Sequence, residues 1–126
     1  MYFSVPHLSL LISFLTLTSS VEAAPGKDVT KCLKLHKVPF IVGNSPNWTS
    51  YTTPHNLRLV YEPAVITIPE TAQHVSASVI CAVAAKLKVQ PKGGGHSYAS
   101  YSSGGRDGSL IVDMEKFDLV DVDPCE

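Results

Sequence analysis

Residues 64–92 decide the fold, and their sequence is AVITIPETAQHVSASVICAVAAKLKVQPK. The first five, 64–68, are mostly β-branched and are bounded by proline on both sides, which predicts a buried strand. Pro69, Glu70 and Thr71 then open a helix in the preferred order, with proline at the first turn and an acid near the positive end of the helix dipole.

This helix is predicted to continue to Lys86 or Lys88, and Val89–Lys92 then form a second short strand. Its predicted buried face consists of Val75, Val79, Ala82 and Val83. Helical connections between parallel strands are right-handed. The segment is therefore expected to form a parallel strand-helix-strand unit within an α+β fold.

The chain before this unit is predicted to contain a shorter helix and an irregular segment. Asp28 is the predicted N-cap of a helix that runs to His36, with Lys31 and Lys34 facing outward. Residues 40–54 are rich in Gly, Asn, Ser, Thr and Pro with scattered aromatic residues, which predicts an irregular loop. The inner face of the short helix is expected to contain Val29, Cys32, Leu33 and His36.

A glycine-rich loop follows the second strand, and residues 93–108, GGGHSYASYSSGGRDG, hold six of the eight glycines in the chain. Consecutive glycines permit positive φ angles and leave backbone N–H groups unobstructed, which is how a loop approaches a diphosphate closely. The spacing matches neither nucleotide-binding fingerprint, G-x-x-x-x-G-K-[ST] or G-x-G-x-x-G. Two more strands are predicted after the loop, at 110–114 and 119–122, joined by a turn around Lys116.

Two other interpretations of this loop stay open. One is a flexible surface segment that binds a partner or nothing. The other is the nucleophile elbow of a serine hydrolase, because GHSYA at 95–99 is close to G-x-S-x-G and would make Ser97 the nucleophile. An elbow needs an α-helix directly after the serine, whereas residues 98–108 are dominated by Ser and Gly, and no histidine follows His96 to complete a triad.

The first 23 residues have the pattern of a secretory signal. The apolar stretch Leu8–Leu17 precedes a small-x-small site at Val21–Ala23, and it has about half of the ~20 residues that a membrane span requires. The protein is therefore predicted to be secreted, without membrane contact after cleavage, and Asn47 in the sequon NWT becomes a glycosylation site. The chain without this signal suffices for one small domain. The full chain has a net charge of −1, and removal of the signal takes away Glu22 and leaves a net charge of zero, which offers no electrostatic footprint for nucleic acid.

An oxidising compartment favours pairing two of the three cysteines. Cys32 lies on the first helix and Cys81 midway along the second, so their bridge would join the helices and leave Cys125 unpaired. Neither a C-x-x-C nor an H-x-x-x-H spacing occurs, and no metal site is predicted. The isolated histidines outside the loop, interpreted as surface or structural residues, are His36, His55 and His74.

The loop and its surroundings resemble a known family, the berberine bridge enzyme-like oxidoreductases, and within it the fungal glucooligosaccharide oxidases. The similar features are PKGGGHSY at 91–98, GGRDG at 104–108 and a strand that ends in Asp113 and Met114. The likeness extends from about Leu35 to Asp123. It implies the N-terminal part of a vanillyl-alcohol oxidase-type FAD-binding domain, incomplete, with the strand-helix-strand unit, the loop and short strands.

The resemblance also implies site residues. The backbone N–H groups of Gly93 to Ser97 would cradle the FAD pyrophosphate, and His96 would be linked covalently to the 8α-methyl group of the isoalloxazine ring. The family's bridge between the first helix and the helix after the first strand agrees with the Cys32–Cys81 pair. No catalytic residue is implied within this chain. The implied cofactor-binding residues are Lys92, Gly93, Gly94, Gly95, His96, Ser97 and Tyr98.

The predicted domains are a signal peptide at 1–23, an N-terminal helix and irregular segment at 24–57, and an FAD-binding domain at 58–126. Family members are several hundred residues long, so the resemblance implies that this last domain is partial. The parent enzyme is expected to oxidise a sugar or another alcohol with O₂ as acceptor. This chain alone is expected to bind FAD poorly or not at all and to have no turnover. The alternative function is a secreted, disulfide-stapled protein without catalysis, and the third is a serine hydrolase that uses Ser97.

Overall fold

The computed structural model describes residues 26–119. The predicted signal peptide, Cys125 and residues 120–122 of the last predicted strand lie outside that range, and Leu119 is not in a strand. No helix within the range is long and apolar enough to cross a membrane. The elements in chain order are α1 (Gly26–Leu35), β1 (Phe40–Ile41), α2 (Trp48–Thr52), β2 (Val65–Thr67), α3 (Ala72–Ala84), β3 (Val89–Lys92), the 3₁₀ turn η1 (Tyr101–Ser103) and β4 (Leu110–Asp113).

The four strands form one sheet in the order β1-β2-β4-β3. β2 and β3 are both parallel to β4, because Val65 and Val89 each pair with Leu110, and β1 is antiparallel to β2 at the edge. The predicted strands at 64–68, 89–92 and 110–114 and the parallel strand-helix-strand unit are therefore confirmed. β4 lies between the two strands of that unit, since a helix of about 10 Å diameter covers two strands that are about 4.8 Å apart.

The hydrophobic core lies between this sheet and the pair α1 and α3. The disulfide between Cys32 and Cys81, with its Cα atoms 5.6 Å apart, joins the two helices as predicted. Strand residues alternate between the faces of a sheet, so every second residue of β2 and β4 points into this core. The buried core residues are Val29 and Leu33 of α1, Ala77, Cys81 and Ala82 of α3, Val65, Leu110 and Val112 of the sheet, and Val38 and Leu87 of the connections.

The first helix differs from its prediction at both ends. α1 begins at Gly26, so Asp28 lies within its first turn rather than at the N-cap, and it ends at Leu35. His36 is exposed and does not belong to the inner face. Val29 and Leu33 are fully buried, as expected, because the helix presents them to α3 and the sheet.

The second helix begins later than predicted, at Ala72. Thr71 is the N-cap of α3, and its side chain accepts a hydrogen bond from the backbone N–H of His74 at 3.2 Å, so Pro69 and Glu70 precede the helix. The predicted buried face was wrong in part, since the side chains of Val79 and Val83 are 40% and 68% exposed. The physical reason is that α3 is apolar on more than one side, and periodicity then cannot select the face that meets the sheet.

The observed buried face of α3 consists of Ala77, Ser78, Cys81 and Ala82. Three of these four are small residues that allow close approach of the helix to the sheet, and Cys81 carries the bridge to α1. The segment 40–54, predicted to be irregular, contains β1 and α2. β1 forms because residues far along the chain, in β2, supply its hydrogen-bond partners, and no local pattern predicts that pairing.

Replacing both Cys32 and Cys81 with alanine is expected to lower the free energy of unfolding by about 4 kcal/mol, on the chain-entropy model for a separation of 49 residues. Urea unfolding followed by circular dichroism measures the change, with Cys125→Ser in both proteins to prevent thiol exchange. A loss below about 1 kcal/mol would contradict a stabilising role for the bridge.

Candidate functional site

The glycine-rich loop leaves the sheet at the carboxyl ends of its parallel strands. β2, β4 and β3 end there at Thr67, Asp113 and Lys92, and Gly93 follows β3 directly. In open α/β sheets, ligands bind in the space outside the carboxyl ends of the strands. The predicted cofactor-binding residues therefore lie at the carboxyl ends of the parallel strands, where such a site is expected.

A buried ion pair joins the ends of β3 and β4. Lys92 Nζ lies 2.8 Å from Asp113 Oδ2, and the two side chains are 17% and 2% exposed. Lys92 Nζ also donates a hydrogen bond of 3.1 Å to the carbonyl oxygen of Tyr51, and it lies 5.3 Å from the centre of the Tyr51 ring. The Lys92 side chain is thus directed at α2 and Asp113, while its backbone leads into the glycines.

Tyr51 extends this network to the turn after β4. Its hydroxyl donates a hydrogen bond of 2.9 Å to Glu115 Oε1, and the backbone N–H of Glu115 donates one of 3.1 Å to Asp113 Oδ1. The hydrogen bond to Glu115 raises the pKa of the Tyr51 hydroxyl, with further contributions from burial and from the negative charges of Glu115 and Asp113. One set of polar contacts therefore fixes both the end of β3 and the turn after β4.

Hydrogen bonds hold the carbonyl groups of the loop in place. The Ser102 hydroxyl donates to the carbonyl oxygen of Gly95 at 3.1 Å, and the Asn56 side-chain amide donates to that of Tyr98 at 2.8 Å. Gly95 itself has φ +77°, a conformation that favours glycine. The two hydrogen bonds therefore fix the directions of the Gly95 and Tyr98 carbonyl groups.

The amide groups at the start of the loop have no such partners. In residues 26–119, none of the backbone N–H groups of residues 93–97 donates a hydrogen bond. Gly93 and Gly94 are exposed, and a Cβ atom at Gly93 would meet no atom within 4 Å, so the backbone is open to a ligand. Successive free N–H groups in a glycine-rich turn form a cradle for an anionic group such as a diphosphate.

The His96 ring lies beside this cradle, in contact with a residue that the sequence did not single out. The centre of the His55 ring is 5.6 Å from that of His96 and 5.1 Å from that of Tyr98, with both pairs in edge-to-face arrangements. His96 and Tyr98 are exposed. His55 was interpreted as an isolated structural or surface histidine, and no signal in the sequence indicates its contact with a loop 41 residues away.

The far half of the loop is pinned to the segment before β2. Asp107 Oδ1 accepts a hydrogen bond from the backbone N–H of Glu62, and the N–H of Gly108 donates to the Glu62 carbonyl, both at 2.8 Å. Gly104 has φ +102°, and a Cβ atom there would collide with the hydroxyl of Ser109. The GGRDG segment is therefore an anchor for the loop.

The structure does not support the hydrolase hypothesis. Ser97 is followed by a turn and by η1, which has three residues, and not by an α-helix. The Ser97 hydroxyl accepts a hydrogen bond from the backbone N–H of Tyr101 at 3.4 Å, and no histidine of the described residues is hydrogen-bonded to it. The elbow therefore lacks both its helix and its general base.

The fold and the loop together define a cofactor-binding domain of mixed α/β type, and the comparisons with known proteins agree. The family model for the FAD binding domain matches residues 63–126, about half of the chain. The chain belongs to this FAD-binding family. FAD is the cofactor of the family, as the resemblance implied, and the mixed α/β fold class is confirmed.

Relatives of the chain fall in the two expected groups. Xylooligosaccharide oxidase from Thermothelomyces thermophilus is 40% identical over 119 residues, which are 93% of this chain and 24% of that protein. Berberine bridge enzyme-like D-1 from Nicotiana tabacum is 34% identical over 131 residues, 90% of this chain and 23% of that protein. The chain thus spans about a quarter of the length of these relatives.

A solved structure extends the comparison to the cofactor link. Glucooligosaccharide oxidase from Acremonium strictum superposes with a TM-score of 0.73 and 38% identity, over 77% of this chain and 20% of that one. The description of that structure names a 6-S-cysteinyl, 8α-N1-histidyl FAD. In that protein, therefore, a histidine carries the flavin.

Gly104→Ala is expected to lower the free energy of unfolding by about 2–4 kcal/mol, because it adds a collision to an unfavourable backbone conformation. Gly108→Ala is the matched control, since Gly108 has φ +71° but open space around its Cβ position, and it should cost about 1 kcal/mol. Chemical denaturation of the two variants measures the difference. Equal losses would show that Gly104 is required only for its backbone angle.

Glu115→Gln is expected to lower the pKa of Tyr51 towards its ordinary value of 10.0, since the hydrogen bond to the carboxylate is the largest cause of the raised pKa. Phenolate absorbance against pH measures this pKa, and Tyr51→Phe identifies its share of the signal. Because the folded protein retains the proton more tightly than the unfolded chain, the stability contributed by this contact is present below pH 10.0 and is lost as pH rises through the folded pKa. An unchanged titration curve in Glu115→Gln would contradict the assignment.

Proposed function

We propose that this chain supplies part of the FAD site of a secreted carbohydrate oxidase, with residues 93–97 at the pyrophosphate and His96 bound covalently to the isoalloxazine ring. The observation that carries the proposal is the row of free N–H groups at residues 93–97, directly after a parallel strand and beside an exposed histidine. Family membership supports FAD as the occupant of that cradle.

The geometry of the loop fits a diphosphate. The carbonyl oxygens of Gly95 and Tyr98 are engaged by Ser102 and Asn56, so an arriving anion meets N–H groups rather than oxygen lone pairs. A Cβ atom at Gly94 would lie 3.4 Å from two atoms of the His96 ring, in ordinary van der Waals contact with the ring. Glycine at these positions therefore keeps both the backbone and the histidine ring accessible.

His96 has the chemistry that a covalent link requires. Among residues 26–119 neither of its ring nitrogens takes part in a hydrogen bond, so a nitrogen lone pair of the neutral ring is available for bonding to carbon. The adjacent rings of His55 and Tyr98 restrict the directions in which the imidazole can turn. The histidyl FAD of the glucooligosaccharide oxidase supports the same role for His96.

Lys92 contributes by position rather than by its charge. Its ammonium group is held by Asp113 and by the Tyr51 carbonyl, which keeps it out of the cradle. Its carbonyl oxygen accepts a hydrogen bond of 2.8 Å from the N–H of Met114, so both ends of the residue are fixed. We assign a positioning role to Lys92. It fixes the point at which the glycine-rich loop leaves β3.

The cofactor and the relatives support a proposal for the activity of the whole oxidase. FAD supplies two-electron oxidation, and the protein supplies binding, orientation and electrostatics. The names of the relatives support a carbohydrate as the electron donor. The proposal takes O₂ as the electron acceptor. The base that removes the substrate proton is not assigned to any residue of this chain, so turnover is expected only when the remaining parts of such an enzyme are present.

Secretion and glycosylation complete the proposal. The pattern of residues 1–23 supports export. Asn47, in its sequon, is exposed at the start of α2, and its side chain makes no capping hydrogen bond, so it is accessible to a glycosyltransferase. The intact mass of the protein secreted from yeast, before and after glycosidase treatment, reports both the cleaved signal and the glycan.

The flavin link is tested in a chimaera in which this chain replaces the matched region of the xylooligosaccharide oxidase. Trypsin should release residues 93–106, between Lys92 and Arg106, as one peptide. We expect this peptide to carry the mass of the flavin in the parent chimaera, together with that of any peptide joined to the same flavin through a cysteine, as in the glucooligosaccharide oxidase, and to carry neither in His96→Ala. Mass spectrometry of the acid-denatured protein distinguishes this link from any flavin attached elsewhere.

His74→Ala is the control, because His74 lies on α3, away from the loop. The 93–106 peptide of this variant should carry the same added mass as that of the parent chimaera. Flavin mass on residues 93–106 in the absence of His96 would contradict the assignment. A folded parent chimaera whose flavin is released entirely by acid would also contradict it, and would favour a non-covalent site or the non-catalytic alternative.

A further inference from the structure

The ring of His55 is in contact with two rings of the glycine-rich loop at once. Its centre lies 5.6 Å from that of His96, with an interplanar angle of 63°, and 5.1 Å from that of Tyr98, with an angle of 87°. His96 and Tyr98 are two residues apart, so one side chain from outside the loop engages both of them. Edge-to-face ring pairs at such separations are attractive, and each pair favours one orientation of its rings.

The backbone next to His55 is tied to the same loop. The Asn56 side-chain amide donates a hydrogen bond of 2.8 Å to the carbonyl oxygen of Tyr98, and the Ser100 hydroxyl donates one of 3.5 Å to the carbonyl oxygen of Asn56. Asn56 Oδ1 accepts a hydrogen bond of 3.1 Å from the N–H of Arg58, which fixes the orientation of the amide. The His55 ring is exposed, but it projects from a segment that is held against the loop.

The contact between the two histidines is one of packing. Within residues 26–119, no hydrogen bond involves a ring nitrogen of His55 or of His96. A Cβ atom at Gly94 would lie 3.4 Å from Cε1 and from Nδ1 of the His96 ring, so the ring also lies close to the backbone of its own loop. His96 thus has neighbours that limit its orientation, while its nitrogens stay free to react.

We propose that His55 is a positioning residue for attachment of the flavin: its ring, held in place by Asn56, keeps the imidazole of His96 in the orientation from which a ring nitrogen meets the 8α carbon. This inference rests on the proposed link between His96 and FAD. The link forms one N–C bond, removes one proton from the nitrogen and one from the 8α carbon, and leaves an electron pair on the flavin. O₂, the acceptor already proposed, takes that pair with both protons as hydrogen peroxide. His55 transfers no proton in this step.

The size of the effect follows from the contact. An exposed imidazole without neighbours samples several staggered rotamers, and only one of them presents its nitrogen to the bound cofactor. Correct orientation of groups that are already held together raises the rate of their reaction. One edge-to-face contact changes such a population by about two- to tenfold. The rate of attachment should therefore depend on His55 by this factor, whereas FAD affinity, which depends on the N–H groups of residues 93–97, should not.

Nuclear magnetic resonance of the full chain secreted from yeast tests the orientation without flavin. Three-bond couplings report the χ1 rotamers of His96. We expect one dominant rotamer in the parent chain, averaging over several in His55→Ala, and recovery of the dominant rotamer in His55→Phe, whose ring can form the same edge-to-face contact. Averaged couplings in the parent chain, or unchanged couplings in His55→Ala, would overturn the proposal.

The chimaera with the xylooligosaccharide oxidase separates the rate of attachment from FAD affinity. It is produced without flavin in a riboflavin-auxotrophic host and mixed with FAD at several concentrations, and the loss of the unmodified peptide 93–106 is followed by mass spectrometry. We expect the maximal rate to fall about two- to tenfold in His55→Ala, with the half-saturating FAD concentration unchanged, and to return in His55→Phe. A merely structural role would instead raise the half-saturating concentration.

Leu57→Ala is the matched control, because Leu57 lies in the same segment and is 72% exposed, and its attachment rate should equal that of the parent chimaera. A rate in His55→Ala equal to that of the parent would overturn the proposal. An equal loss in His55→Phe and His55→Ala would also overturn it, since the imidazole itself would then be required. A parent chimaera that attaches no flavin to residues 93–106 would overturn the proposed function and this inference together, whereas a normal link whose rate is indifferent to His55 would overturn only the inference.

Discussion

The ion pair between Lys92 and Asp113 fixes the point at which two neighbouring parallel strands end, and the site is built on that point. Asp113 is almost fully buried, so its carboxylate depends on Lys92 and on the N–H of Glu115 for the interactions that water would otherwise provide. Removing one partner of such a pair typically costs about 3–5 kcal/mol, because a buried charge is left without compensation. The pair therefore sets the register of the loop relative to the sheet.

Contacts at both ends of the loop fix its conformation. Lys92 fixes its start, while Asp107 and Gly108 fix its end against Glu62. Between these anchors, serine and asparagine side chains bind loop carbonyls and leave the N–H groups of residues 93–97 free. Free donors are normally costly, but here they face solvent, where water satisfies them until an anion takes its place. An open cradle can be stable for this reason.

The helices α1 and α3 pack on one face of the sheet. Val65, Leu110 and Val112 pack against α1 and α3, where the disulfide adds a covalent constraint. Ile66 and Ile111, the alternate residues of the same strands, are fully buried but belong to the opposite face. The helix pair and its disulfide thus lie on one side of the sheet, and the loop is positioned from the strand ends. A substitution in the helical core can therefore act on stability without touching the cradle.

The sequence alone determined β2, β3 and β4, the presence of both long helices and the glycine-rich loop, because these depend on short-range patterns of β-branched residues, prolines and glycines. It also indicated the Cys32–Cys81 pair and the resemblance to FAD-linked oxidases, since both rest on residues that are visible in order along the chain.

Only the tertiary structure decided which side of α3 is buried, that β4 lies between β2 and β3, and that Lys92 meets Asp113. It also decided that the ring of His55 meets that of His96. Each of these depends on contacts between residues far apart in the chain. Such contacts are selected by the packing of the whole sheet and its helices, and no local pattern of residues records them.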